Sequence, residues 1–113
     1  MRLLLESHTF VWWIRANPQL SSLARDWISR PDSDVFVSVA TAWEIAIKVG
    51  LNRWPEATSL LGTFEAGLVA EGFSLLPISV EHARRSGLMT HPHRDPFDRL
   101  LAAQAIAEGM TLV

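Results

Sequence analysis

Residues 35–50 read Val-Phe-Val-Ser-Val-Ala-Thr-Ala-Trp-Glu-Ile-Ala-Ile-Lys-Val-Gly and pass from the pattern of a strand to that of a helix. Residues 35–37 are β-branched and aromatic, which favours a strand. Ser38 is a good N-cap for the helix that follows, and Gly50 is a typical stop at its end. Because this helix is apolar on nearly every side, we expect it to be buried. A strand that leads directly into a buried helix is typical of a parallel α/β sheet.

The same alternation of short and helix-length apolar segments extends along the whole chain. The pattern predicts four strands, at residues 2–5, 35–37, 73–78 and 110–113. It predicts helices between them, at residues 10–14, from 21 or 22 to 28, and at 39–49, 55–71, 80–86 and 96–108. Alternating strands and helices favour a parallel sheet with helices on both faces. We therefore expect an α/β protein, a three-layer α/β/α sandwich with about four parallel strands, in one domain over residues 1–113.

The composition limits what the protein can do. A chain of 113 residues is long enough for one domain, and its hydrophobic content of 49% can build a core. The absence of cysteine excludes a disulfide scaffold, a cysteine-ligated zinc site and a thiol nucleophile. The net charge of −2 gives no electrostatic indication of nucleic-acid binding, although acids that hold a metal also lower the net charge. The opening apolar run is too short for a signal peptide or membrane span, so we expect a cytoplasmic protein.

Three carboxylates lie where a parallel α/β sheet places its functional groups. Glu6 directly follows the first strand, Glu44 lies in the second turn of the helix after the second strand, and Asp98 lies in the first turn of the last helix. These positions share the carboxyl edge of the sheet. Carboxylates that converge repel one another unless a cation joins them, and hard oxygen ligands select Mg²⁺ or Mn²⁺. We therefore predict that Glu6, Glu44 and Asp98 are metal ligands and catalytic residues. The reaction that such a metal supports is the hydrolysis of a phosphodiester.

Each acid also has a structural interpretation. Glu6 is compatible with an ordinary acid near a helix start. Glu44 can form an ion pair with Lys48, the only lysine, one helical turn further on. Asp95 precedes a proline, a combination that predicts an N-cap, and Asp98 then occupies the third helical position, where a capping role is open.

Three blocks of sequence carry a family resemblance. They are Met-Arg-Leu-Leu-Leu-Glu-Ser-His at residues 1–8, Val-Ser-Val-Ala-Thr-Ala-Trp-Glu-Ile-Ala-Ile-Lys-Val-Gly-Leu at 37–51, and His-Arg-Asp-Pro-Phe-Asp-Arg-Leu-Leu-Ala-Ala-Gln-Ala at 93–105. In these blocks the chain resembles the PIN-domain ribonuclease toxins of type II toxin–antitoxin systems, the VapC-like toxins. The resemblance covers essentially the whole chain, and its blocks fall in the order of the family.

The resemblance implies a PIN fold and a Mg²⁺-dependent endoribonuclease that hydrolyses RNA. It also implies a cognate antitoxin as partner and a homodimer. Apart from the resemblance, the lack of an apolar run long enough to span a bilayer predicts no association with a membrane. Carried over by motif, Glu6, Glu44 and Asp98 stand at the first, second and third acidic positions of the family. Asp95 lies in the loop of the third acid, and Ser7 stands where the family often has a small hydroxyl residue, so both are predicted to support the site.

The chain departs from the family pattern at two places. The first acid of the family is usually Asp, and the extra methylene of Glu6 moves its carboxylate by about 1 Å, a shift that can cost roughly a hundredfold in rate. Family members also continue beyond the fourth strand with a further acid, whereas this chain ends at Val113, so we expect it to lack the C-terminal extension. The alternative hypothesis is therefore a catalytically impaired or inactive toxin that still binds its antitoxin.

Several other residues are candidates for weaker reasons. Arg94 and Arg99 flank the acids and can contact RNA phosphate, or form ion pairs with the neighbouring aspartates. His91 and His93 resemble a metal pair but lack a third ligand, so we interpret them as part of a polar loop. His82 has no partner in the sequence. The five tryptophans are expected in the core or at a partner interface rather than stacked on RNA bases.

Overall fold

The computed structural model describes residues 1–90 and 95–113, which form four strands and seven α-helices. The strands are β1 (Arg2–Leu4), β2 (Asp34–Ser38), β3 (Ser74–Leu76) and β4 (Thr111–Leu112). The helices are α1 (Ser7–Ile14), α2 (Ser22–Ser29), α3 (Val39–Gly50), α4 (Thr58–Leu61), α5 (Phe64–Glu71), α6 (Val80–Leu88) and α7 (Pro96–Glu108). A short 3₁₀ turn, Pro55–Ala57, precedes α4.

The sheet is parallel throughout and has the strand order β3-β2-β1-β4. In its register Leu3 pairs with Val35 on one side and with Thr111 on the other. The predicted parallel α/β sandwich is therefore confirmed. Because β1 and β2 are neighbours, the residues that follow them, Glu6 and the first turns of α3, begin at the same edge of the sheet.

Alternate residues of the strands enter two separate cores. Leu3 and Val35 belong to the larger cluster, which is closed by α1, α2, α3 and the segment from Trp54 to Phe73. Leu4 belongs to the second cluster on the other face, where α7 supplies most of the partners. Helices thus cover both faces of the sheet, as its apolar strands require. Trp54 is buried in the larger core and Trp13 and Trp27 pack against that core, whereas Trp43 is exposed.

The structure differs from the predicted elements at two places near functional residues. The first helix begins at Ser7 instead of residue 10, because Glu6 has extended backbone angles and its carbonyl accepts the Phe10 N–H. The single helix predicted over residues 55–71 is divided into the 3₁₀ turn, α4 and α5. The division falls at Gly62 and Thr63, and Thr63 has non-helical angles. Both residue types have low helix propensity.

Candidate active site

Glu6 is the N-cap residue of α1 and is held through its backbone. Its N–H donates to the carbonyl of Val113 at 2.9 Å, while the N–H of Leu5 donates to Phe36 at 3.0 Å. These bonds tie the end of β1 to both neighbouring strands. The Glu6 side chain forms no capping hydrogen bond and the residue is exposed. The first acidic position therefore has a fixed backbone and a solvent-facing side chain.

Glu44 is buried, with 3% of its surface exposed, and each carboxylate oxygen has a donor. The Ser7 hydroxyl donates to Oε1 at 2.6 Å, and the Lys48 ammonium donates to Oε2 at 2.6 Å. The Ser7 hydroxyl oxygen also lies 3.3 Å from Thr41 Oγ1. A buried carboxylate needs such partners to offset the loss of water. The ion pair that was the structural alternative for Glu44 is thus formed, with the carboxylate buried and the lysine partly exposed.

Lys48 is held between this carboxylate and an aromatic ring. Its Nζ lies 5.2 Å from the centroid of the buried Trp54 ring, a distance at which the cation is attracted by the ring face. The His8 ring packs against the same indole, with 4.5 Å between the ring centroids of His8 and Trp54. Glu44, Lys48, Trp54 and His8 therefore form one continuous chain of contacts.

Asp98 lies in the first turn of α7, which Asp95 caps as predicted. The Asp95 Oδ1 accepts the N–H of Phe97 at 2.9 Å. Phe97 in turn packs edge-on against Trp43 of α3, with 5.1 Å between ring centroids. The turn that carries Asp98 is therefore adjacent to the turn that carries Glu44. Asp98 itself is exposed and lines a groove of about 840 Å³ between α6 and α7.

The elements that carry the three predicted acids are thus neighbours. The bond from Ser7 to Glu44 joins α1 to α3, and the contact between Trp43 and Phe97 joins α3 to α7. Even so, residues 1–90 and 95–113 contain no group of three or more histidines and acids arranged to hold a metal ion. The oxygen donors suit Mg²⁺ in their chemistry. In the arrangement shown, each carboxylate oxygen of Glu44 already accepts one hydrogen bond, from Ser7 and from Lys48.

Arg99 has a structural use that the sequence did not reveal. Its Nη2 donates to the carbonyls of Ser86 at 3.0 Å, Met89 at 3.1 Å and Gly87 at 3.4 Å. These carbonyls lie at the end of α6, where the helix leaves acceptors without intrahelical donors. Arg99 therefore fastens the end of α6 to the start of α7. Arg94, the other predicted phosphate contact, and the histidines at 91 and 93 lie outside the described residues.

A second buried polar cluster was missed from the sequence. The Gln104 side chain is fully buried and accepts the Ser38 hydroxyl at 2.6 Å, while its amide donates to the Pro77 carbonyl at 3.3 Å. The same amide lies 3.3 Å from Nδ1 of His82.

The His82 ring continues this cluster toward the end of α7. Its Nδ1 accepts a hydrogen bond from the N–H of Ser79, so Nε2 carries the proton and donates to Glu108 at 2.9 Å. The sequence did contain one signal for this cluster: Gln104 is a single amide side chain among apolar residues of the last helix.

Fold and site together define a parallel α/β domain in which the helix after Glu6, the helix that carries Glu44 and the helix that carries Asp98 are neighbours. The model of the PIN domain family matches residues 3–113, and the chain belongs to that family. The resemblance inferred from the sequence is confirmed at this level.

Among solved structures, the chain is similar to one in the crystal structure of VapBC2 from Rickettsia felis bound to a DNA fragment from their promoter. The TM-score is 0.61 and the identity 18%, over 99% of this chain and 86% of that chain. At this identity the likeness shows a shared fold. No curated protein sequence matches significantly.

Proposed function

We propose that this PIN-domain protein is a Mg²⁺-dependent endoribonuclease toxin that hydrolyses phosphodiester bonds of RNA. The observation that carries the proposal is the buried Glu44, whose helix α3 contacts both α1, which follows Glu6, and α7, whose first turn carries Asp98. A carboxylate is costly to bury, and a buried carboxylate on a helix that packs against the elements of two further acids is a candidate for a functional charge. Membership of the PIN domain family supports the same reading.

The proposed catalytic roles follow from the carboxylate oxygens that can coordinate a metal ion. Glu6, Glu44 and Asp98 would hold the Mg²⁺, or Mn²⁺ in its place, which when bound supplies an activated water and offsets charge on the phosphate. The Ser7 hydroxyl fixes one oxygen of Glu44 and thereby orients the carboxylate. Asp95 supports Asp98 indirectly, because its cap fixes the first turn of α7.

The contacts to RNA are less defined. Arg94 remains a predicted contact to phosphate. We propose that Arg99 contributes mainly by holding α6 against α7, because its guanidinium already donates to three backbone carbonyls. A partly buried arginine with such contacts is expensive to redirect toward a ligand.

The test is cleavage of RNA by the purified chain. We expect cleavage in Mg²⁺ or Mn²⁺ and none in EDTA. Asp98→Asn should lower the rate about tenfold, a smaller loss than at a buried acid because water screens an exposed carboxylate. The matched control is Asp26→Asn on the exposed surface of α2, which should cleave at the rate of the unmodified chain. Cleavage that persists in EDTA would contradict the proposal.

The proposed partners are a cognate antitoxin, the RNA substrate and a second copy of the chain, in the cytoplasm. The shared fold with a chain of a VapBC2 structure supports an antitoxin. Exposed apolar side chains on α3 and at its C-cap, namely Val39, Trp43, Ile47 and Leu51, support a protein partner of either kind. In the described ranges, no helix combines the length and apolar character needed to cross a bilayer.

A second candidate is an impaired toxin that binds its antitoxin and cleaves little RNA. Two observations favour it: the longer and exposed Glu6 at the first acidic position, and the ion pair that engages Glu44. Glu6→Asp is the discriminating variant. If Glu6 limits the rate, the variant should cleave RNA tens of times faster than the unmodified chain, since a misplacement of about 1 Å has effects of this order. An unchanged or lower rate would contradict impairment at Glu6.

A further inference from the structure

We propose that Lys48 is an internal counter-cation, which occupies the Glu44 carboxylate when no metal is bound and is displaced by a divalent cation. The proposal rests on the proposed function, because it concerns the same acids. It adds a role for a residue that is neither an acid of the site nor a contact to substrate: Lys48 sets how readily the site accepts a metal.

The first step of the argument is the demand of Glu44 for a cation. With 3% of its surface exposed, the residue cannot rely on water to stabilise its charge. The Ser7 hydroxyl satisfies one oxygen but brings no charge. The Lys48 ammonium at 2.6 Å provides the positive charge at the other oxygen. The protein therefore stays folded around this carboxylate without any metal.

The second step is that this ammonium is held in place. Its distance of 5.2 Å from the Trp54 ring centroid adds a cation–π attraction on the side away from Glu44. Trp54 is itself fixed in the core and stacked against His8. Lys48 is thus not a loose surface partner like Arg85, whose ion pair with Glu81 is 3.3 Å long and exposed at both ends.

The third step is competition for one oxygen. Two cations on Glu44 Oε2 would repel each other strongly at such short range, so the ammonium and a divalent ion exclude one another there. Lys48 can leave, because its side chain is 31% exposed and its four-carbon stem is flexible. Glu44 cannot follow it, since its buried position and its bond from Ser7 fix the carboxylate.

The chain offers a direct reporter of this exchange, because Lys48 is its only lysine. Reductive methylation with ¹³C-formaldehyde would label its amine and the N-terminus of Met1, and the signal that Lys48→Arg removes is that of Lys48. We expect Mg²⁺ to shift this NMR signal in a saturable way and EDTA to restore it. In Glu44→Gln the signal should already lie near the metal-loaded position and respond little to Mg²⁺.

Metal affinity provides the second measurement. Lys48→Met should bind Mn²⁺ about tenfold more tightly than the unmodified chain in an EPR titration, which corresponds to about 1.4 kcal/mol. Arg30→Met, which removes one exposed positive charge at the end of α2, is the control and should leave the affinity unchanged.

The outcomes separate this inference from the proposed function. Mn²⁺ that binds the unmodified chain and Lys48→Met equally, with a Lys48 signal that Mg²⁺ does not move, would overturn the counter-cation role and leave the metal site standing. Failure of both chains to bind Mn²⁺ would overturn the metal site itself, and the counter-cation role with it. Should Lys48→Met fail to fold, the methylated chain still decides the question.

Discussion

Replacing Glu44 with glutamine is expected to lower RNA cleavage by roughly a hundredfold or more, the range found when one electrostatic contact to a reacting centre is removed. The amide has nearly the shape of the carboxylate, so its oxygen can still accept the Ser7 hydroxyl at the position of Oε1. What it loses is the charge that a cation would neutralise. Lys48 loses its partner but is 31% exposed and can turn toward water. The fold should therefore persist while the cleavage rate falls.

Initial cleavage rates at saturating Mg²⁺, with thermal unfolding measured in parallel, would check this expectation. Glu65→Gln is the matched control, since it makes the same substitution at an exposed position in the first turn of α5. That variant should retain both its rate and its stability. If Glu44→Gln cleaved RNA as fast as Glu65→Gln, Glu44 would be no more than the structural partner of Lys48.

Much of the fold could be predicted because its signals are local. Residues 35–50 contain a strand, a cap and an apolar helix in sequence order, and the structure shows β2, the Ser38 cap and α3 there. The expectation that this helix is buried all round was wrong, because Val39, Trp43 and Ile47 form an exposed apolar face of α3. The carboxyl edge followed from the parallel order alone. Local signals did not predict where the helix of residues 55–71 is divided, because the low helix propensity of a residue can be outweighed by packing. The apolar pattern of residues 55–71 does not show that Gly62 and Thr63 divide a helix.

The candidate site was predictable only in part, for a different reason. An acid in an apolar helix had to be buried, and the sequence offered both Lys48 and a metal as its partner. The structure shows the lysine bonded to Glu44, a choice that depends on rotamers and on Trp54, which is adjacent only in space. Where the side chains of Glu6 and Asp98 point depends likewise on tertiary contacts that no spacing encodes.

Gln104 illustrates the same limit and leads to the largest expected effect on stability. Gln104→Leu should lower the free energy of unfolding by about 2 to 3 kcal/mol, although leucine fits the volume and the helix. The Ser38 hydroxyl would lose its acceptor at the buried junction of α7 with β2, and the Pro77 carbonyl would lose its donor in a partly buried bond just after β3. His82 would keep its bonds to Ser79 and Glu108, so the damage should stay local.

The chain contains one other glutamine, which makes the comparison well matched. Gln19 is exposed, and Gln19→Leu should change the free energy of unfolding by less than about 0.5 kcal/mol in urea denaturation. A difference of 2 kcal/mol or more between the variants would then measure the cost of leaving buried polar groups unpaired. Since Ser38 also accepts the N–H of Ala40 and caps α3, Gln104 anchors the helix of Asp98 to the start of the helix of Glu44. Equal stabilities would mean that packing alone holds α7 in place.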